Sequence, residues 1–176
     1  MSASRRTILA AVGAGLAALE IPAPASASAI DKVAAELFDQ SNQANKALMR
    51  GDLRGYFSLV SYSDDFTLMS PFGGKPTHAS DLTDERIQAM GRFFRNGTLE
   101  TELVQAYGSA EMVVLAVVER AHVEVGGLPA QDWALRVTLV YRRDGPGWRL
   151  AHRHADPLAP GIGLEEAAAL ARRKVA

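Results

Sequence analysis

The stretch Tyr141-Arg-Arg-Asp-Gly-Pro-Gly-Trp148-Arg-Leu-Ala-His152-Arg-His154 decides the fold. Its Asp144-Gly-Pro-Gly147 segment is a tight turn signal between two β-rich runs, 131–143 and 148–156, and predicts an antiparallel hairpin. If Arg143 faces Trp148 across the turn, strand alternation sorts the side chains into two sets. One face carries Trp133, Leu135, Val137, Leu139, Tyr141, Trp148, Leu150, His152 and His154; the other carries Ala134, Arg136, Thr138, Val140, Ala151, Arg153 and Ala155. That division rests on the register, because a slip of one residue exchanges the faces.

Upstream, 99–107 and 111–125 are also β-rich, and Gly126-Gly-Leu-Pro129 joins the second of them to 131–143, so four strands follow one another as a meander. Met112-Val-Val-Leu-Ala-Val-Val118 is apolar at both alternating positions, so this strand needs cover on both faces. One cover is the domain's own core. The other is a second copy packed face to face, two-fold homodimers being the commonest oligomers, or else the C-terminal helix.

The region before the meander is mostly helical. Val33, Leu37, Ala44, Ala47 and Leu48 recur at helical spacing and stop at Gly51, which predicts a helix over 31–50. Asp52 caps a short second helix carrying Leu53, Tyr56, Phe57 and Val60. Residues 66–69 read as one strand ending in a turn, and the segment up to Leu82 as a loop. Thr83 or Asp81 caps a third helix with Ile87, Met90, Phe93 and Phe94 on one face, ended by Asn96-Gly97. After Pro160, residues 164–175 begin with Glu165-Glu166 and close with Arg172-Arg173-Lys174, which suits a peripheral helix through its dipole. Helices first and meander after is α+β, with the helices segregated to one face of a sheet.

Composition narrows the function classes. With 176 residues there is room for one ordinary domain, and 19 Lys plus Arg against 20 Asp plus Glu leaves no basic footprint for nucleic acid. The absence of Cys removes disulfides, thiolate nucleophiles and cysteine-held metal clusters, and nothing in the sequence calls for a cofactor. The N-terminus places Arg5-Arg6 before a weakly apolar run to Ile21 and then Pro22-Ala-Pro-Ala-Ser-Ala-Ser-Ala29, the order of a secretory signal. The arginine pair resembles a twin-arginine export signal, although the Lys often found after the motif is Ala10 here. The run contains Glu20 and is too short for a stable membrane span, which needs about 20 predominantly apolar residues. The expected organisation is therefore a signal over 1–29, cleaved near Ala27 or Ala29, a domain over 30–158 and a helical tail over 159–176, with a periplasmic or secreted product.

Three strings, Gly51-Asp52-Leu-Arg-Gly-Tyr56, Asp64-Asp-Phe-Thr-Leu-Met-Ser70-Pro71 and the hairpin quoted above, resemble in this order the nuclear transport factor 2-like superfamily. Within it the chain is similar to SnoaL-like and ketosteroid isomerase-like domains and to the association domain of calcium/calmodulin-dependent kinase II. The resemblance implies a cone-shaped fold, a curved antiparallel sheet wrapped around N-terminal helices with a C-terminal helix added, a pocket inside the cone, and dimers through the sheet's outer face. It implies no single activity. The isomerases' general-base position falls on Ser70 here, and their helix Tyr position on Ala44. A serine hydroxyl is no proton shuttle near neutral pH without its own base, which argues against steroid isomerisation.

By the same resemblance the face bearing Arg136, Thr138 and Arg153 corresponds to the pocket side. Its small side chains leave room for a ligand, and an arginine in an apolar cavity suits a carboxylate through its planar fork. Tyr56, Ser70, Arg136, Thr138 and Arg153 are thus the candidate ligand-binding residues, for an apolar or carboxylate-bearing small molecule. Arg136 and Arg153 equally suit ion pairs, for instance with Glu119 or Glu102. His152, His154 and Asp156 form His-x-His-x-Asp, a pattern open to metal; the resemblance favours interface or core histidines, because the association domain has the same His-x-His without a metal, and no metal is assigned. As catalytic candidates for an isomerase, lyase or hydrolase, His154 and Asp156 are the best pair, since a carboxylate orients an imidazole. Phe72, Met90, Phe93, Phe94 and Tyr107 are pocket wall or plain core.

Overall fold

The computed structural model describes residues 27–172, so most of the predicted export signal lies outside the described residues. Helix α1 runs Ala27–Met49, and Ala34, Leu37, Ser41, Ala44, Asn45 and Leu48 are buried along one stripe of it. The chain reverses at Gly51, whose φ of +79° is costly for any other residue and where a Cβ would lie 2.9 Å from the Gly91 carbonyl oxygen. Asp52 then caps α2 (Leu53–Leu59), its Oδ1 accepting from the Gly55 amide at 2.9 Å. Thr83 caps α3 (Asp84–Phe93) in the same way, through the Arg86 amide.

Six strands follow the order β2-β1-β6-β5-β4-β3, where β1 is Tyr62–Met69, β2 Thr77–His78, β3 Phe94–Gly108, β4 Met112–Val125, β5 Leu128–Asp144 and β6 Gly147–Pro157. Strands β3 to β6 form the predicted antiparallel meander, whereas β1 joins β6 in parallel, so the sheet is mixed at one junction. Helix α1 lies against β3 and β4, and the α+β arrangement stands as read from the sequence. Strand β1 begins four residues before the predicted 66–69 because its acidic start is satisfied locally: Ser63 donates to Asp65, and Arg142 grips Asp65 at 2.8 and 2.9 Å. Asn96, at φ +53°, sits in an irregularity within β3 and does not end α3.

The hairpin holds the main correction. Arg143 does face Trp148, with Gly145 at φ +56° in the turn. Three residues further on, β6 bulges: Tyr141 pairs with Leu150, but the next partner of β5, Val140, pairs with His152, which leaves Ala151 as the extra residue. Beyond the bulge the expected faces are exchanged. Arg153 stands opposite Leu139 and Ala155 opposite Val137 on the inner face; Arg136 opposite Asp156 and Thr138 opposite His154 lie on the outer one.

Packing of α1 and α2 on the inner face builds the core, with Phe66, Val113, Leu115, Val123, Leu139 and Leu150 all but sealed from solvent. The outer face is different. Val114, Ala116, Val118, Thr138 and Val140 are half-buried along it. The terminal helix α4 (Leu164–Ala171) buries none of its residues and leaves Leu164 86% exposed, so it is not the second cover for β4 that the sequence offered as an alternative.

Candidate functional site

Alternation along β4 presents Leu115, Val117, Glu119, Ala121 and Val123 to the interior, so one carboxylate is embedded in an apolar row. A buried carboxylate must be matched. Arg153 meets it with both terminal nitrogens, 3.0 Å to Oε1 and 2.7 Å to Oε2, while the Asn45 side chain of α1 donates to Oε1 at 3.0 Å. The pair is well shielded, with the Arg153 side chain 18% exposed and that of Glu119 5%. Burial depresses the Arg153 pKa, but the facing carboxylate and its hydrogen bonds more than offset this, and the net shift is upward. This triad ties α1, β4 and β6 together at the floor of a cavity.

Beside the triad, Tyr56 of α2 and Tyr62 of β1 share a hydrogen bond of 2.7 Å between their hydroxyls, and Tyr62 stacks on Phe66 at 4.1 Å. Burial first, then the neighbouring Tyr62, raises the Tyr56 pKa well above the usual tyrosine value; burial raises that of Tyr62 too, against lowering by the bond to Tyr56 and by Arg153. Both phenols therefore stay protonated at neutral pH and act as hydrogen-bonding groups, not as bases.

Above this floor opens a cavity of about 410 Å³ with mainly apolar walls. Ile87, Met90, Phe93 and Phe94, the face of α3 legible in the sequence, line it, together with Phe72 from the loop after β1. Phe72 is 54% exposed, meets Phe93 edge-on at 5.3 Å and tilts against Trp133 at 5.5 Å. Ser70 holds this loop, its Oγ accepting from the Phe72 amide at 3.2 Å. The Trp133 indole nitrogen is buried without a hydrogen-bond partner among the described residues. Near the start of α3, Arg86 also lines the cavity, donating to the buried Thr77 hydroxyl at 2.9 Å.

Of the residues expected from sequence to bind ligand, Tyr56, Ser70 and Arg153 line this cavity, whereas Arg136 and Thr138 do not. The inner side of β5 is the row of Leu135, Val137 and Leu139, not the row of Arg136 and Thr138 that the resemblance implied, so Arg136 stays outside, ion-paired with Asp156, while the bulge at Ala151 turns Arg153 of β6 inward. Ala44 is fully buried in the core and off the cavity, and Tyr107 is 60% exposed, neither wall nor core. His154 and Asp156 border a separate, smaller cavity of about 280 Å³ that also touches Ser70. The Asp156 carboxylate is taken by Arg136 and not by His154, while His152 bonds the Thr67 hydroxyl through Nδ1 at 2.7 Å. Among the described residues no group of three or more His, Asp and Glu is placed to hold a metal ion, and no helix is long and apolar enough to cross a membrane.

Sequence reasoning named Glu119 only as an ion-pair partner and missed Asn45, Tyr62, Trp133 and Arg86 as cavity residues. Polar residues set into apolar rows were the available signal: Glu119 interrupts the alternation of β4, and Ser41 and Asn45 interrupt the buried stripe of α1. Arg86 carried no such signal, since it lies among charged neighbours.

A family model described as the SnoaL-like domain matches residues 39–160. Among solved structures, a nuclear transport factor 2-like superfamily protein from Salmonella enterica serovar Typhimurium is similar at 19% identity and TM-score 0.60, covering 76% of this chain and 97% of that one. A candidate association domain of calcium/calmodulin-dependent protein kinase type II from Thiobacillus denitrificans is 22% identical with TM-score 0.52, covering 74% and 96%. A candidate dehydratase of the same fold family from Streptomyces avermitilis is 18% identical with TM-score 0.56, covering 74% and 99%. At these identities the likeness shows the fold alone. No curated protein matches the sequence.

Proposed function

The chain belongs to the SnoaL-like domain family, and from that premise we propose that it is an exported small-molecule-binding domain whose ligand occupies the cavity between helices and sheet. One observation carries the reading: a cavity of about 410 Å³ stays open above a floor whose carboxylate is already fully engaged by Arg153 and Asn45. Pockets of this size with apolar walls and a few convergent polar groups are the usual form of a small-molecule site. The ligand's apolar body packs against Phe72, Phe93 and Trp133, and its polar part meets the hydrogen-bonding groups of the wall.

An isomerase, lyase or hydrolase built on His154 and Asp156 draws no support from their placement, since both lie off the main cavity and the carboxylate is ion-paired. A thermal-shift screen of small apolar acids, alcohols and ring compounds tests the binding reading, because a ligand of the native state raises the melting temperature. Hits suppressed by a Trp in place of Ala121 or Leu135, which fills the cavity, support it; a screen without hits at saturating concentrations overturns it.

Export and assembly belong to the same proposal. Removal of residues 1–27 or 1–29 takes Arg5, Arg6 and Glu20 with it, leaving the domain one charge more negative. Intact-mass measurement on periplasmic material checks the cleavage point. Dimerisation through the half-buried outer row of Val114, Ala116, Val118 and Val140 follows the two-face apolar pattern of β4. Light scattering on the purified domain tests it, and a monomer at tens of micromolar rejects it.

A further inference from the structure

The ionisable groups lining the main cavity do not cancel. Tyr56 and Tyr62 remain neutral, and Glu119 and Arg153 neutralise one another through two hydrogen bonds. Arg86 is left over. Its guanidinium donates to the Thr77 hydroxyl at 2.9 Å, and it forms no ion pair with a carboxylate among the described residues. A hydroxyl anchors an arginine without neutralising it, and four of its five N–H donors remain for other partners. The cavity wall therefore carries one uncompensated positive charge.

We propose that Arg86 selects a monocarboxylate with an apolar body. The inference rests on the reading of this cavity as a ligand site, and adds the charge and position of the ligand's polar group. A ligand carboxylate bound to Arg153 would have to displace Glu119 and leave that acid buried without its partner, a costly exchange. At Arg86 nothing is displaced. The fork geometry of the guanidinium accepts a carboxylate through two parallel hydrogen bonds, and the apolar wall next to it takes the hydrocarbon. The same positive charge on the wall penalises a ligand that brings an ammonium in place of the carboxylate. The selectivity thus lies at the start of α3, not on the strands that carry Arg136 and Arg153.

The experiment is calorimetric titration of the full chain with three molecules sharing one body: 4-phenylbutyrate, 4-phenylbutanol and 4-phenylbutylamine. The expected order is acid, then alcohol, then amine, with the acid at least about tenfold tighter than the alcohol, as for a charge-assisted hydrogen bond. Arg86→Gln, at an exposed position, removes the charge while keeping a side-chain N–H donor, and brings acid and alcohol within about twofold by lowering the acid's affinity. Arg136→Gln leaves the acid's advantage intact. Equal binding of acid and alcohol to the unmodified chain overturns the proposal and leaves the ligand site standing, as does an advantage that survives Arg86→Gln. Failure of all three to bind at millimolar concentration removes the ligand-site reading and this inference with it.

Discussion

Two arginines, one on each of the last two strands, make the same chemical contact with a carboxylate in opposite settings. Inside, Arg153 holds Glu119 with the two side chains 18% and 5% exposed; outside, Arg136 holds Asp156 with the two at 61% and 40%. The inner carboxylate receives three hydrogen bonds from two residues and joins β4, β6 and α1, whereas the outer pair links only neighbouring strands. Burial changes what such a contact does. In solvent an ion pair is screened and gains little beyond its cost in side-chain freedom; under cover, each charge is tolerated only because the other is present. One extra residue, Ala151 of β6, puts the two arginines on opposite faces of the sheet.

The sharpest way to break that contrast is to remove one inner partner. Glu119→Leu strands a buried guanidinium and is expected to cost about 3–5 kcal/mol of unfolding free energy, measured by urea denaturation with the slope held constant. The double change Glu119→Leu with Arg153→Met removes both charges and is expected to recover most of that loss, because apolar replacements of similar volume are often neutral or better in place of a buried pair. A double variant no more stable than the single one would show that the pair's geometry, and not the stranded charge, carries the stability.

A smaller effect separates inside from outside through pH. Burial pushes the Tyr141 phenol up to about 12, against the lowering effect of its hydrogen bond from Ser41. In the unfolded chain a tyrosine ionises near 10, so above that pH the unfolded state has given up a proton that the native state retains. Stability from this group is complete below pH 10 and is lost as pH rises toward 12, by an amount on the order of 2 kcal/mol. Tyr141→Phe is expected to flatten that alkaline decline in denaturation curves taken between pH 9 and 12. An unchanged slope would assign the decline to other groups, Tyr56 foremost.

How much of this was legible depends on whether the deciding physics is local. The hairpin turn was readable because Gly145 must supply a positive φ there, and the α1–α2 junction because Gly51 and Asp52 do the same work of turning and capping. The face of α3 was readable from periodicity. The bulge at Ala151 was not, since an unpaired Ala has no local signature and its position is chosen by what the two faces bury. For the same reason the alternation rule, correct at Trp148, put Arg153 with Arg136. The parallel pairing of β1 with β6 joins segments more than eighty residues apart and was equally hidden. Arg86 is a third kind of miss: on an exposed helix turn its charge is unremarkable, and only the tally of charges around a cavity makes it stand out.

The smallest expected effects belong to the outer face and test whether its charges are as dispensable as their exposure implies. Arg136→Gln and Asp156→Asn are each expected to change stability by less than about 1 kcal/mol, and by less still as salt is raised. A loss comparable to that of Glu119→Leu would mean the outer pair is covered in solution, as a face-to-face dimer would cover it, and the same samples in light scattering would tell. Asp65, held by Arg142 and then by Ser63, has its carboxyl drawn down to about 2 although it is exposed. Its contribution is present above the ordinary carboxylate range and fades as pH falls toward 2. Carbon-detected NMR titration should find this low midpoint, and Arg142→Gln should raise it toward the ordinary aspartate value of 3.8. Because water screens this contact, the displaced midpoint is expected to come with little change in melting temperature. A large change would mean that the strand junction beneath it, and not the ion pair alone, depends on that carboxylate.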